Sequence, residues 1–415
     1  MPKIRLVDVT NRDGEQTARI VLSKLQKTII NILLDQMGVF GSELGFPLSP
    51  HEWNYLNSNV ELKKLENDDG KPVIKNLRLE GWSRAVAGDV EQALTNTNLT
   101  HLNLSISTSQ QMLEWKFRGK FSRDDIISMM VDAVRAALEG GCTSVGINAE
   151  DASRTDMEFL KDFGLAGKEA GAQILRYCDT LGYDDPCTIA GRMGELAREV
   201  QMPLETHCHN DLGLAVANSV AGAVAVCDEG QDAYINTTVN GVGERAGNAD
   251  LVSCILALRH SSGLADKDYL DRNIDTTKAY RLAQYVSRSF GLPIPINQVG
   301  VGENAFAHES GIHADGALKD RHNYELYAFE DLGRGHEVLS KTGREILTGQ
   351  HGGTAGLEYV YSHMDIAFRD AEHAREILKL VQYANLINQQ PLTEEELRFI
   401  YDYPEIARKL LTLTP

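Results

Sequence analysis

Asp8-Val9-Thr10-Asn11-Arg12-Asp13-Gly14-Glu15-Gln16 follows the first apolar run of the chain, and Glu205-Thr206-His207-Cys208-His209-Asn210-Asp211 closes a later one. Side chains alternate faces along a strand, so His207 and His209 share a face and Cys208 takes the other. Two imidazoles on one face, met by the Asp13 carboxylate from another strand end, make half a coordination sphere for a divalent cation. Positions remain open for water or substrate. Chemistry gathered at strand ends is the demand of one particular architecture.

Outward from these two stretches, short strand-like runs alternate with helical patterns. The strand candidates are 4–9, 39–44, 76–81, 101–107, 144–149, 173–177, 203–207 and 233–239. Residues 22–37, 123–139, 189–200 and 249–261 carry apolar side chains at helical spacing. Eight such units in about 260 residues predict a (β/α)8 TIM barrel, an α/β fold; a doubly wound open sheet has the same strand count. A barrel places its chemistry just past the C-terminal ends of its strands. The polar residues there are Arg12 and Asp13, Glu43, Arg84, Ser107, Glu150, Thr180, His207 and His209, and the stretch 240–248, so every strand end carries a candidate.

The chain is predicted to hold a catalytic barrel over 1–263, a linker over 264–325 and a small, mainly helical C-terminal subdomain over 326–415. In the last, Thr393-Glu394-Glu395-Glu396 reads as a capped helix start. With 415 residues, 42% of them hydrophobic and 24% charged, the chain can bury a large core. Its net charge of -18 argues against nucleic acid or an anionic membrane as the main partner. The six cysteines form no CxxC pair, which suits reduced thiols and a cytoplasmic location. No apolar signal region follows Met1-Pro2-Lys3, and the most apolar stretch, 212–227, is too short to span a bilayer.

Asn248, closing Gly241-Val242-Gly243-Glu244-Arg245-Ala246-Gly247-Asn248, offers an amide oxygen as a fourth ligand. The glycines there follow the eighth strand at GxGxxxG spacing, which fits close backbone approach rather than dinucleotide binding. Arg12 can grip a carboxylate through two N–H groups, where lysine would offer a point charge; an ion pair with Glu43 or Glu150 is the structural use of the same group. Glu150-Asp151-Ala152-Ser153-Arg154 joins an acid to a cation at one strand end. A second cluster, Asn304 to Gly316, contains His308 and His313 and lies beyond the barrel in sequence, so a catalytic role there implies supply in trans within a homodimer.

At these residues the chain resembles the α-isopropylmalate synthase/homocitrate synthase family of metal-dependent barrel enzymes. The likeness rests on 8–16, on His207 to Asp211 leading into 236–248, and on 308–316. It implies condensation of acetyl-CoA with a 2-oxo acid followed by thioester hydrolysis. It further implies that Asp13, His207 and His209 hold a divalent cation (Mg2+, Mn2+ or Zn2+) with Asn248 nearby. Arg12 and Thr180 would hold the 2-oxo acid carboxylate, Gln16 and Glu43 join the substrate group, and for a diacid substrate Arg84 and Arg154 are the cations available to the distal carboxylate. Glu150, His313 and Tyr324 would form the acid/base group, the last two from the partner subunit.

The segments 311–320, 323–325 and 332–334 are most similar to homocitrate synthases of the nitrogen-fixation type, so 2-oxoglutarate is the expected substrate. The alternatives are oxaloacetate (Re-type citrate synthesis), phosphonomethylmalate synthesis, and isopropylmalate or citramalate synthesis, which asks for an apolar pocket. A hydroxymethylglutaryl-CoA lyase, a two-His-one-carboxylate oxygenase and a binding protein on an inert barrel are the competing classes. The chain departs from the family at Asn11, usually Leu, and at Val9. It also departs at the insert-like 67–72 and at Thr348-Gly349-Gln350-His351-Gly352-Gly353, where the family carries Gly-Lys-His-Ser-Gly. The feedback-regulatory domain of isopropylmalate synthases is not expected.

Overall fold

In a computed structural model, which describes residues 2–66, 70, 72–307, 311–335, 348 and 353–412, the eight strands form a closed parallel barrel in sequence order. They are β1 (Ile4–Asp8), β2 (Gly41–Gly45), β3 (Arg78–Arg84), β4 (His101–Ser107), β5 (Ser144–Glu150), β6 (Ile174–Asp179), β7 (Leu204–Cys208) and β8 (Ala233–Thr237). β1 pairs with β2 on one side and β8 on the other, which excludes the open sheet. The eight helices outside are α1 (Lys24–Met37), α2 (Pro50–Leu62), α3 (Ala87–Asn96), α4 (Arg123–Glu139), α5 (Met157–Ala170), α6 (Pro186–Val200), α7 (Ala215–Asp228) and α8 (Leu251–His260). Their starts are chemically marked: Ser23 and Gln26 form a capping box on α1, and Asp185 caps α6 ahead of Pro186.

Seven of the eight strands shift by one to three residues from the sequence reading at one end or both, and β4 alone keeps its bounds. β2 begins at Gly41 rather than 39, and β3 runs on past 81 to Arg84. Trp82, Ser83 and Arg84 pair with Asn103, Leu104 and Ser105 of β4. Polar residues that point into a barrel mimic a loop in hydropathy, so pairing and not pattern decides that strand end.

Inside, Val7, Ile174 and Tyr234 pack with Phe40 as an apolar bottom layer. Above it lie Glu43, Glu80, Asn103, Arg176, Glu205 and Asn236, all buried, where such barrels ordinarily stack branched aliphatic side chains. A polar layer of that kind survives only if its members satisfy one another.

Asp8 is a separate buried acid. Thr10 N donates to its Oδ1 at 2.9 Å, while Oδ2 has no partner among the described residues. Burial pushes its carboxyl up from 3.8 to about 7, against the pull of the Thr10 bonds. Between about pH 4 and 7 the unfolded chain therefore sheds a proton that the fold retains, and stability falls as pH rises by up to about 1.4 kcal/mol per unit. Asp8→Asn keeps an acceptor for Thr10 and is expected to remove this slope. Denaturation midpoints at about pH 4.5 and about pH 7.5 check it; a variant with the same pH dependence as the wild type would mean that Asp8 is ionised in the fold.

After the barrel come α9 (Ala279–Phe290), α10 (Gly311–Lys319), α11 (Thr354–Ser362), α12 (Ala371–Asn388), α13 (Glu394–Asp402) and α14 (Pro404–Leu410). Thr393 and Glu396 form the expected capping box on α13. This helical part packs on the barrel's flank, where Lys409 Nζ meets Glu61 Oε2 of α2 at 2.7 Å, and it is tied together by Tyr285 of α9, whose Oη donates to Glu396 Oε1 of α13 at 2.9 Å. Tyr361, Ile377, Phe399 and Ile406 belong to the same apolar cluster as the barrel helices. No helix among the described residues is long and apolar enough to cross a membrane. Asn67, Asp68, Asp69 and Lys71 of the insert, the stretch His308-Glu309-Ser310, and Gly349-Gln350-His351-Gly352 lie outside the described residues.

Candidate active site

The turn that follows β1 presents Asp13. Arg12 N, Asp13 N and Gly14 N all donate to Val9 O, at 3.1, 2.8 and 3.0 Å. The unusual Asn11 turns away from the mouth, donating to Lys27 O and Asn31 Oδ1 at 2.9 Å each, within a buried amide network. Two strands round the barrel, His207 stands on β7 and His209 just beyond its end. Each Nε2 lies 4.0 Å from Asp13 Oδ2, and the three ligand atoms fall within 4.8 Å of one another.

A chain of hydrogen bonds running from Asp13 to His207 fixes this cluster. Arg12 donates from Nη1 to Asp13 Oδ1 at 2.7 Å and from Nε to Glu43 Oε2 at 2.5 Å. Arg176 donates from Nη1 to Glu43 Oε1 at 2.9 Å and from Nε to Glu205 Oε2 at 3.0 Å. Asn236 Nδ2 donates to Glu205 Oε1 at 2.5 Å, and Asn236 Oδ1 stands 3.1 Å from His207 Nδ1. With its amide nitrogen committed to Glu205, Asn236 accepts from His207 Nδ1–H, which leaves the Nε2 lone pair facing Asp13.

Burial disfavours charge on Asp13, yet the Arg12 guanidinium and the Asn248 amide hold its carboxyl well below the usual range. Burial pushes both histidines below theirs, and Asp13 only partly opposes this. An ionised carboxylate beside two neutral imidazoles is the donor set a divalent cation requires. Asn248 adds to the fit: Nδ2 donates to Asp13 Oδ2 at 2.5 Å, and the buried Oδ1 has no partner among the described residues. Two glycines permit this approach. A Cβ on Gly243 would strike the Asn248 amide, and Gly247, at φ +90°, passes against the Gly241 carbonyl.

The cluster opens into a cavity of about 560 Å3, within the ordinary range for small-molecule sites. Gln16, Glu150 and Thr180 line it as expected. Thr180 Oγ1 accepts from Asp151 N at 2.9 Å and keeps its own hydrogen to donate. Glu150 is held by Ser107 Oγ at 2.5 Å and by Lys116 Nζ at 2.7 Å from each carboxylate oxygen. Lys116 ends a π-helical turn, Met112–Lys116, and no motif in the sequence singled it out. Phe46, Trp82, Ile106, Phe117, Phe121 and Met129 give the cavity an apolar wall that the strand-end residues alone did not announce, since four of them come from loops and α4.

Other expected residues are placed differently. Glu43 is completely buried and outside the cavity lining, because Arg12 and Arg176 occupy its oxygens. Arg84 lines the cavity but pairs with Asp89 at 2.5 Å and is largely exposed. Arg154 folds onto Asp151 at 2.6 Å and is not part of the lining. His313 and Tyr324 stack on one another with ring centroids 4.4 Å apart, likewise outside that lining. Sequence reasoning passed over Arg176, Asn148, Glu205 and Asn236. An arginine in the middle of Ile174-Leu175-Arg176-Tyr177 was the available signal, since a charge inside a strand covered on both faces needs a partner.

The sequence model of the HMGL-like family matches residues 3–286, and that of the homocitrate synthase post-HMGL domain matches 301–386. The chain is 55% identical to the citrate (Re)-synthase of Dehalococcoides mccartyi, over 100% of this chain and 99% of that one. It is 33% identical to homocitrate synthase 1 of Nostoc, over 96% of each, so the synthase type favoured by the motifs is the more distant of the two. The crystal structure of hydroxymethylglutaryl-CoA lyase from Pseudomonas aeruginosa shares the fold, with a TM-score of 0.56 at 18% identity over 71% of this chain and 95% of that one. The chain belongs to the HMGL-like family, and within it to the acyltransferase-type synthases that include the citrate, isopropylmalate and homocitrate enzymes.

Proposed function

We propose that this enzyme condenses acetyl-CoA with oxaloacetate and hydrolyses the thioester, as a citrate synthase of the Re type. The observation that carries the reading is the buried Asp13–His207–His209 cluster at a cavity holding Glu150 and Thr180, in a chain 55% identical throughout to a citrate (Re)-synthase. Asp13, His207 and His209 would hold a divalent cation, with Asn248 Oδ1 beside them. When bound, the cation supplies a Lewis acid for the 2-oxo carbonyl.

Arg12 spends Nε and Nη1 on Glu43 and Asp13, which leaves Nη2 for the substrate's 1-carboxylate. Thr180 donates its hydroxyl hydrogen to the same group. The acetyl methyl is a weak carbon acid, so a positioned base must take its proton. Glu150, oriented by Lys116 and Ser107, and His313 are the groups for that work. The carbanionic carbon then bonds to C2 of the 2-oxo acid, the former carbonyl oxygen takes a proton, and water cleaves the thioester to free CoA.

His313 and Tyr324 would enter from the partner of a homodimer. Their segment exposes Ile312 (76%), Leu318 (88%) and Leu326 (71%), which suits a face that a second copy covers. The post-HMGL match over 301–386 favours a synthase over a lyase, and it keeps 2-oxoglutarate as the second reading.

Release of free CoA from acetyl-CoA is the direct assay, run with oxaloacetate, 2-oxoglutarate, pyruvate and 3-methyl-2-oxobutanoate. The expected result is the highest kcat/KM with oxaloacetate and loss of turnover on chelation. A higher kcat/KM with 2-oxoglutarate would move the assignment to homocitrate synthesis.

A further inference from the structure

One row of side chains crosses the floor of the cavity between neighbouring strands. Ser105 of β4 is the register partner of Asn148 of β5, and Asn148 is the partner of Arg176 of β6. Register partners in a parallel pair stand side by side on one face, about 5 Å apart. All three residues line the cavity described above. Asn148 and Arg176 are each 1% exposed.

Their polar atoms are not all used. Arg176 commits Nε and Nη1 to Glu205 and Glu43, while Nη2 has no partner among the described residues. Neither Nδ2 nor Oδ1 of Asn148 has one either. A buried guanidinium nitrogen and a buried amide left open side by side are costly unless something occupies them. What they present is mainly donors: two hydrogens from Arg176 Nη2, two from Asn148 Nδ2, and the Ser105 hydroxyl. The matching acceptor is a carboxylate, which bridges two such nitrogens.

The height of the row identifies which carboxylate. Arg176 pairs in register with Glu205, two residues below His207 on the same face of β7. Two strand residues span about 6–7 Å, so the floor lies one layer beneath the two imidazoles. A short diacid standing upright would reach from one layer to the other.

We propose that Ser105, Asn148 and Arg176 form a carboxylate subsite that selects dicarboxylic over monocarboxylic 2-oxo acids. The proposal rests on the reading of the site given under Proposed function, and it replaces Arg84 and Arg154, whose guanidinium groups are engaged by Asp89 and Asp151. Arg176 contributes here through Nη2 alone, and its other nitrogens keep Glu43 and Glu205 in place.

Binding without turnover tests it. Malate and lactate share the 2-hydroxy acid end and differ by the second carboxylate. Titrated by calorimetry into the Mn2+-supplemented protein, malate is expected to bind about tenfold or more tighter than lactate. Asn148→Asp places a carboxylate beside Arg176 Nη2, which gives that nitrogen a partner and keeps the fold. The variant should lose the malate preference while its lactate affinity stays within about twofold. Ser105→Ala, which removes one hydroxyl donor of the row and leaves Arg176 on Glu43 and Glu205, should weaken malate binding several-fold in the same selective way. Equal weakening of both ligands, or an unchanged preference in both variants, would overturn the subsite. A wild type that prefers malate yet releases no CoA with any 2-oxo acid would leave the subsite standing and remove the condensation reading.

Discussion

His207→Ala is expected to lower kcat by a factor of about 10^3 or more and to leave the barrel folded. Among the described residues the side chain has one hydrogen-bond partner, Asn236, so its removal frees one amide oxygen at a cost of about 1–3 kcal/mol. A chain of this size tolerates that loss. The cation site does not, because His209 and Asp13 alone supply two of the three clustered ligand atoms. Circular dichroism and thermal unfolding should stay close to wild type, while the metal content of dialysed protein falls and CoA release stops. Asp13→Asn should behave alike in activity but less benignly in stability, since it also takes the charge from an Arg12 that is almost fully buried. A His207→Ala protein that retains both metal and turnover would remove the basis of the proposed mechanism.

The second large effect concerns His313. His313→Ala is expected to reduce kcat by about 10^2- to 10^4-fold with little change in KM for the 2-oxo acid, the pattern of a lost proton-transfer group. Its exposure, and its absence from the cavity lining of its own chain, make the subunit arrangement testable. In a two-fold symmetric dimer with His313 supplied in trans, co-expressed His313→Ala and Asp13→Ala chains form mixed dimers in which one of two sites is intact. About a quarter of wild-type activity should return. Each variant alone stays inactive. No recovery in isolated mixed dimers would place His313 in its own subunit's site, and a full-rate His313→Ala protein would make it a structural residue of the stacked His313–Tyr324 pair.

Several elements were legible without coordinates because their signals are local. The alternation of strand and helix patterns, the Thr393 cap and the shared face of His207 and His209 each follow from spacing along a few residues. Asp13 was legible as well, because a polar residue just beyond an apolar run is what a barrel strand end looks like. Arg84 and Arg154 show where such reasoning stops. Both stand at or beside strand ends, yet acids three and five residues along the chain, Asp151 and Asp89, engage them.

What the sequence by itself determined, then, was the type and order of the elements and that Asp13, His207 and His209 stand at strand ends. Only the tertiary structure decided that β1 closes on β8, and that Glu43, Arg176, Glu205 and Asn236 hold Arg12 and His207 in place. It also decided that Asn148 and Arg176 stand side by side with open donors. The physical reason is register. Alternation assigns a side chain to the inside of a barrel, but the stagger between neighbouring strands sets which inside residues meet, and that stagger is a property of the closed sheet rather than of any one strand.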